Sequence, residues 1–183
     1  MTSIFSIIFT IVLDHTFDYY YDKHILEEKT KYEVQLSKLK YINQQIDEFY
    51  IPLQIKLLES EKLWIDYKKK YAGSKVFTDI AHGVTNSDTK KWQIYMLQVF
   101  QPIHVRLENI ISSKRNLVLK NSSVNQEIDL LIRHISYYKV IFSQWKDDDK
   151  TQNFSQLHFP SKLIYNVQKD IDILNNYKKI LLK

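Results

Sequence analysis

Apolar residues recur along most of this chain at steps of three and four. From Tyr32 they fall at Tyr32, Leu36, Leu39, Ile42, Ile46, Phe49 and Leu53, and again at Leu57, Trp64 and Tyr71. That spacing puts one apolar face on a helix with a nearly heptad seam. Ala72-Gly73-Ser74 predicts its end, Gly73 suiting the left-handed position that follows many helices. A first helix running roughly from 17 to 72 and bent at Pro52 follows from this pattern. Beyond a loop holding Gly83 and Thr85-Asn86-Ser87-Asp88, a second helix is predicted, with Ser87 as its cap and Asp88 in its first turn. It carries Trp92, Met96, Val99, Ile103, Leu107, Ile110 and Leu117 on one face, with Pro102 inside it. Asn121-Ser122-Ser123 interrupts the pattern, and Ser123 with Gln126 reads as a capping box. A third helix then presents Val124, Ile128, Leu131, Ile135, Tyr138, Phe142 and Trp145. After Asp147-Asp148-Asp149, which reads as a solvated loop or a cation site, Ser161 is placed to cap a fourth helix with Leu163, Val167, Ile171, Leu174 and Leu181 inward. Each stripe needs a neighbour to bury it, so the expected fold is all-α, an elongated four-helix bundle with proline-kinked helices.

Ahead of these stripes, Ser3 to Leu13 form an unbroken apolar run. It is shorter than the ~20 residues that cross a hydrocarbon core. Extension through Phe17, Tyr19, Tyr20 and Tyr21 completes a span and sets those rings where an interfacial aromatic belt is expected. Asp14 and Asp18 oppose it, an Asp at the bilayer centre costing about 2.5–3.5 kcal/mol. Three readings are open. One is a marginal single span whose Asp14 and His15 face a partner helix, another an interfacial or partner-docked helix. The third, a cleaved signal peptide, lacks a basic leading region and a small-residue cleavage site. If the segment spans, Lys23, Lys29, Lys31, Lys38 and Lys40 follow it and no Lys or Arg precedes it, which leaves the main domain in the cytoplasm. The expected organisation is therefore a membrane-anchor helix over residues 1–22, single-pass or peripheral, continuing into a helical bundle domain over 23–183.

Composition narrows the class. Two glycines and three prolines in 183 residues suit long helices and few turns. The absence of cysteine excludes disulfides, thiolate metal sites and a thiol nucleophile. The charge of +5 arises from 26 basic and 21 acidic residues that are intermixed, whereas a nucleic-acid binder concentrates its basic residues in a stripe. Lys68-Lys69-Lys70 and Lys114-Arg115 look like solvated helix ends, and no nucleic-acid partner is expected.

Phe49-Tyr50-Ile51-Pro52-Leu53 and Val99-Phe100-Gln101-Pro102-Ile103 share a pattern, an aromatic two residues before Pro and an aliphatic just after it. Two matched bends in facing helices account for it, and a hinge or ligand cleft is the alternative. The first of these segments with Glu61 and Trp64, then Trp92 with the second, then His134, Tyr138, Trp145 and Phe159-Pro160 in the same order, resembles an uncharacterised family of small bacterial membrane-anchored proteins. The resemblance covers roughly residues 20–183. It implies an N-terminal transmembrane helix followed by a helical cytosolic domain, and it supplies no activity.

The search for chemistry yields one candidate pocket. His134, with Tyr138 one turn on and Trp145 two turns beyond, can share a helix face, giving an imidazole inside an aromatic pocket. A hydrogen-bonded core histidine is the plainer account of the same residues. Tyr50, Pro52, Trp92 and Pro102 complete the candidate ligand or partner pocket; Asp14, His15, Phe17, Tyr19, Tyr20 and Tyr21 form the candidate membrane interface. There is no Glu-x-x-His pair, phosphate-binding glycine loop or nucleophile elbow, so no enzyme, cofactor or metal site is expected. Aromatic residues make up 14% of the chain, 13 of them tyrosine, which suits surfaces that are part apolar and part wet. The expected function is a non-enzymatic, membrane-anchored interaction module or an accessory subunit of a membrane assembly. Its partners are lipids and one or more proteins, or a second copy through the seam. The alternative is a small-ligand sensor built around His134.

Overall fold

The computed structural model describes residues 2–71, 86–149 and 152–183, with the side chains of 2–14 and of residue 86 outside that set. The predicted helix end at Gly73, the loop at Gly83 and the side chain of Asp14 therefore lie outside the described residues. The described residues are mostly helical, with no strand among them. Helix α1 (Thr2–Gln45) continues through a π-helical turn (Ile46–Tyr50) into α2 (Ile51–Lys70). Helix α3 (Asn86–Tyr95) continues through a second π-helical turn (Met96–Phe100) into α4 (Gln101–Lys114). Helices α5 (Val124–Lys146) and α6 (Leu163–Leu181) follow. With the two wide turns counted as parts of longer rods, the described residues form four α-helical rods.

The prolines explain the wide turns. Proline has no N–H, and inside a helix its ring collides with the carbonyl four residues back. Pro52 and Pro102 each sit in the first turn of the helix that follows a π-turn. The preceding N–H reaches back five residues instead of four, Ile51 to the Ile46 carbonyl and Gln101 to that of Met96. Each inserted residue rotates the apolar stripe, which is why the adjacent Phe49 and Tyr50 are both fully buried. The matched sequence pattern thus encodes matched backbone irregularities.

Helix α2 packs on α4 and α6, and α5 packs on the same two. Their shared core draws Leu53 and Leu57 from α2, Ile103 and Leu107 from α4, and Ile128 and Leu131 from α5 with Val167 and Ile171 from α6. A second, aromatic cluster lies towards the α2 C-terminus and gathers Tyr67, Trp92, Met96, Phe100, Tyr138 and Phe142. Truncating one of the fully buried leucines costs about 2–5 kcal/mol, through lost transfer energy and the cavity left behind.

The first stripe is covered over only part of its length. Ile42, Ile46, Phe49 and Leu53 are buried, whereas Tyr32 and Leu36 are exposed. Helix α6 ends beside α1 at Leu181, whose carbonyl accepts a hydrogen bond from the Gln35 side chain. No described neighbour covers the 15–34 stretch of α1, in which every residue is exposed.

The starts of α5 and α6 differ from expectation, and the acidic run after α5 forms a defined turn. The hydroxyl that caps α5 belongs to Ser122, whose Oγ accepts the Val124 N–H at 2.9 Å, while the Ser123 side chain makes no cap bond. Ser161 precedes α6 without capping it, because the helix begins two residues later at Leu163. Asp147-Asp148-Asp149 terminates α5 through backbone geometry. Asp148 adopts φ 59°, the Asp149 N–H reaches the Gln144 carbonyl at 2.9 Å, and the Asp148 N–H reaches that of Trp145 at 3.3 Å. This is a Schellman ending with Asp in the place glycine usually takes.

Candidate functional site

Two polar centres are built into the cores. In the first, the Tyr50 phenol in the π-turn donates to Asp170 Oδ2 on α6 at 2.7 Å and accepts the Leu119 N–H at 3.0 Å. The Ser122 hydroxyl donates to the same carboxylate oxygen. Asp170 is 5% exposed, and burial beside this carboxylate drives the Tyr50 phenol well above its ordinary range. A buried carboxylate is costly unless hydrogen-bonded, and these two hydroxyls satisfy it. The arrangement ties the π-turn, the loop before α5 and α6 to one another.

The second centre is where His134 lies. Its ring sits 5.1 Å from Tyr138, 5.6 Å from Phe159 and 5.6 Å from a second histidine, His104 on α4. His134 Nδ1 is 2.6 Å from the Leu157 carbonyl. A carbonyl only accepts, so this nitrogen carries the proton and Nε2 of the neutral ring is left as an acceptor. Burial lowers the His134 pKa, partly offset by the Leu157 carbonyl and reinforced by His158 nearby. Burial, with His134 adjacent, pushes His104 down to about 3. His104 is 4% exposed and its Nδ1 has no hydrogen-bond partner. Both imidazoles are therefore neutral at pH 7.

A segment over 152–159 straps this centre. The Trp92 indole donates to the Asn153 carbonyl at 2.9 Å and the Trp145 indole to the Gln152 carbonyl at 3.0 Å. Gln93 donates to the Asn153 side chain at 2.8 Å, and Gln152 donates to the Tyr137 hydroxyl. The backbone N–H of Ser155 meets the Tyr138 phenol, whose pKa burial raises to about 12. Backbone groups that cross an aromatic surface without a helix or strand are thus paired by the side chains beneath them.

The candidate pocket residues accordingly separate. His134 and Tyr138 touch, and Trp92 and Trp145 hold the strap over the same end. Trp145 reaches Phe142, at 5.4 Å, along α5. Tyr50 belongs instead to the Asp170 centre, with Pro52 half-buried beside it and Pro102 exposed on α4. Tyr138, Phe159 and His104 surround the buried His134 ring, and the strap reaches it through the Leu157 carbonyl. Of the candidate interface residues, His15, Phe17, Tyr19, Tyr20 and Tyr21 are all exposed on α1.

His104 and Asp170 escape a reading by motif, though both carry a signal. His104 lies four residues after Phe100 and three before Leu107, on a buried face; Asp170 lies between Val167 and Leu174 at helical spacing. Among the described residues, no group of three or more His, Asp or Glu side chains is placed to hold a metal. Nor, among them, is any helix long and apolar enough to cross a membrane. Comparison with protein-family models, with curated proteins and with solved structures returns no match.

Proposed function

We propose that this chain is a non-enzymatic, membrane-anchored helical interaction module, an adaptor or accessory subunit of a larger membrane assembly. The observation that carries the proposal is the uncovered length of α1. Every residue from 15 to 34 is exposed, so roughly 30 Å of described helix at 1.5 Å per residue has no helix packed over it. That arm bears Phe17, Tyr19, Tyr20, Tyr21 and Ile25 with exposures of 51–71%, and it leads to the apolar run Ser3 to Leu13. A helix with large apolar side chains facing water around it is incompletely buried, and a lipid interface at its tip with a protein alongside supplies what is missing.

In this reading the apolar tip enters the bilayer, the arm acts as a spacer, and the four helices form a bundle that presents its surface in the cytoplasm. The design is that of the small membrane-anchored bacterial proteins which the chain resembles. The test is the composition of the particle purified from native membranes in mild detergent. Stoichiometric larger proteins are expected with it; recovery of the chain alone as a monomer from the soluble fraction would overturn the proposal.

A second reading, a small-ligand sensor, is favoured by one observation. His134 lies under a strap held by side-chain hydrogen bonds, and beside it is a second neutral imidazole, His104, whose Nδ1 has no hydrogen-bond partner. A strap of this kind is a natural reporter of an event at its outer surface.

A further inference from the structure

We infer that the open groove between α5 and the 156–162 segment binds a small organic anion, a carboxylate or phosphate ester on a short apolar body. This inference deepens the sensor reading and is independent of the membrane anchor. The groove has a volume of about 430 Å³, within the range of small-molecule sites. Arg133, His158 and Lys162 line it against a single acid, Glu127.

The three basic residues are all exposed, and none takes part in an ion pair among the described residues. Their surroundings differ in this respect. On the same helix, Asp129 pairs with Arg115 at 2.7 Å and Lys139 with Glu108 at 2.6 Å. Arg133 lies between those two pairs and offers its planar donor fork unclaimed. Helix α6 begins immediately after Lys162, so its N-terminal dipole adds to the positive field made by the side chains.

The apolar part of the ligand has a place as well. Leu130, Leu157 and Phe159 form the wall beside the charges. Two of these also touch the buried histidine, Leu157 through its carbonyl and Phe159 through its ring. A ligand seated in the groove therefore contacts two residues that enclose His134, and the Nδ1–H to Leu157 hydrogen bond reports its presence.

The experiment is a titration of the full chain in detergent micelles with phenyl phosphate. Backbone amide resonances of Leu157 to Lys162 and the His134 ring N–H are followed by NMR. Phenylacetate, inorganic phosphate and benzyl alcohol are run in parallel. Saturable shifts are expected with phenyl phosphate or phenylacetate at a Kd of about 1 mM or tighter, the stronger of the two naming the source of the anion. Inorganic phosphate is expected to bind more weakly and benzyl alcohol not at all. The double variant Arg133→Ala, Lys162→Ala, which alters only exposed side chains, is expected to lose at least ~10-fold in affinity. No saturable shift up to about 10 mM, equal response to benzyl alcohol, equal affinity for inorganic phosphate, or unchanged binding in the double variant would each overturn the inference.

Discussion

The Tyr50 phenol donates to the Asp170 carboxylate at 2.7 Å across 120 residues of sequence. A proline-induced π-turn places the donor, and one position on the buried face of α6 places the acceptor. Ser122 completes the centre, and its hydroxyl also caps α5 through the Val124 N–H. One buried carboxylate thus fixes the mutual register of three parts of the chain.

Removing that acceptor leaves the Tyr50 and Ser122 hydroxyl protons without the carboxylate that receives them. Asp170→Ala is expected to lower unfolding free energy by about 2–4 kcal/mol, and Tyr50→Phe by about 1–3 kcal/mol. Urea unfolding measures both. The double variant should lose less than the sum, because the two residues share one interaction. A change within ~0.5 kcal/mol for Asp170→Ala would mean that water replaces the centre without cost.

His104 sets a pH dependence. Its pKa is near 6.5 when unfolded and about 3 in the fold, so between these values the unfolded chain binds more protons. Its contribution is therefore complete above pH 6.5 and lost progressively as the pH falls towards 3. The loss attributable to this residue reaches about 2 kcal/mol at pH 5. His134, whose pKa is also lowered, adds in the same direction. Unfolding of the wild type at pH 7.5 and pH 5 should show the drop, and His104→Leu should reduce it. An equal drop in that variant would assign the effect to other groups.

The strap depends on two indole donors. Trp92→Phe and Trp145→Phe keep most of the aromatic packing but remove the indole hydrogen bond to the Asn153 or Gln152 carbonyl. Each is expected to cost about 1–2 kcal/mol and to speed amide exchange over 152–159. The core helices should exchange as before. Uniform acceleration across α5 and α6 would show that the strap and the body open together.

The helices were legible in the sequence because period-3.6 stripes act locally. Ile128, Leu131 and Ile135 on α5 and Val167, Ile171 and Leu174 on α6 are buried as their spacing predicts. The same pattern does not show where a neighbour ends. Tyr32 and Leu36 continue the stripe of Ile42 and Ile46, yet they stand exposed because α6 terminates beside Gln35. Likewise His134 and Tyr138 were placed together by helical spacing. His104, which meets them from α4, depends on the way two helices cross and left no local motif. Ser122 prevailed over Ser123 as a cap because a long-range bond to Asp170 already fixed its hydroxyl.

Liposome flotation tests the proposed membrane anchoring most directly. Residues 15–22 are all exposed, and the chain lacking residues 1–22 is expected to stay folded, which circular dichroism checks. The full chain is expected to rise with the vesicles and the chain lacking residues 1–22 to remain at the bottom of the gradient. The same distribution for both, with the truncated chain folded, would contradict membrane anchoring through the N-terminal helix.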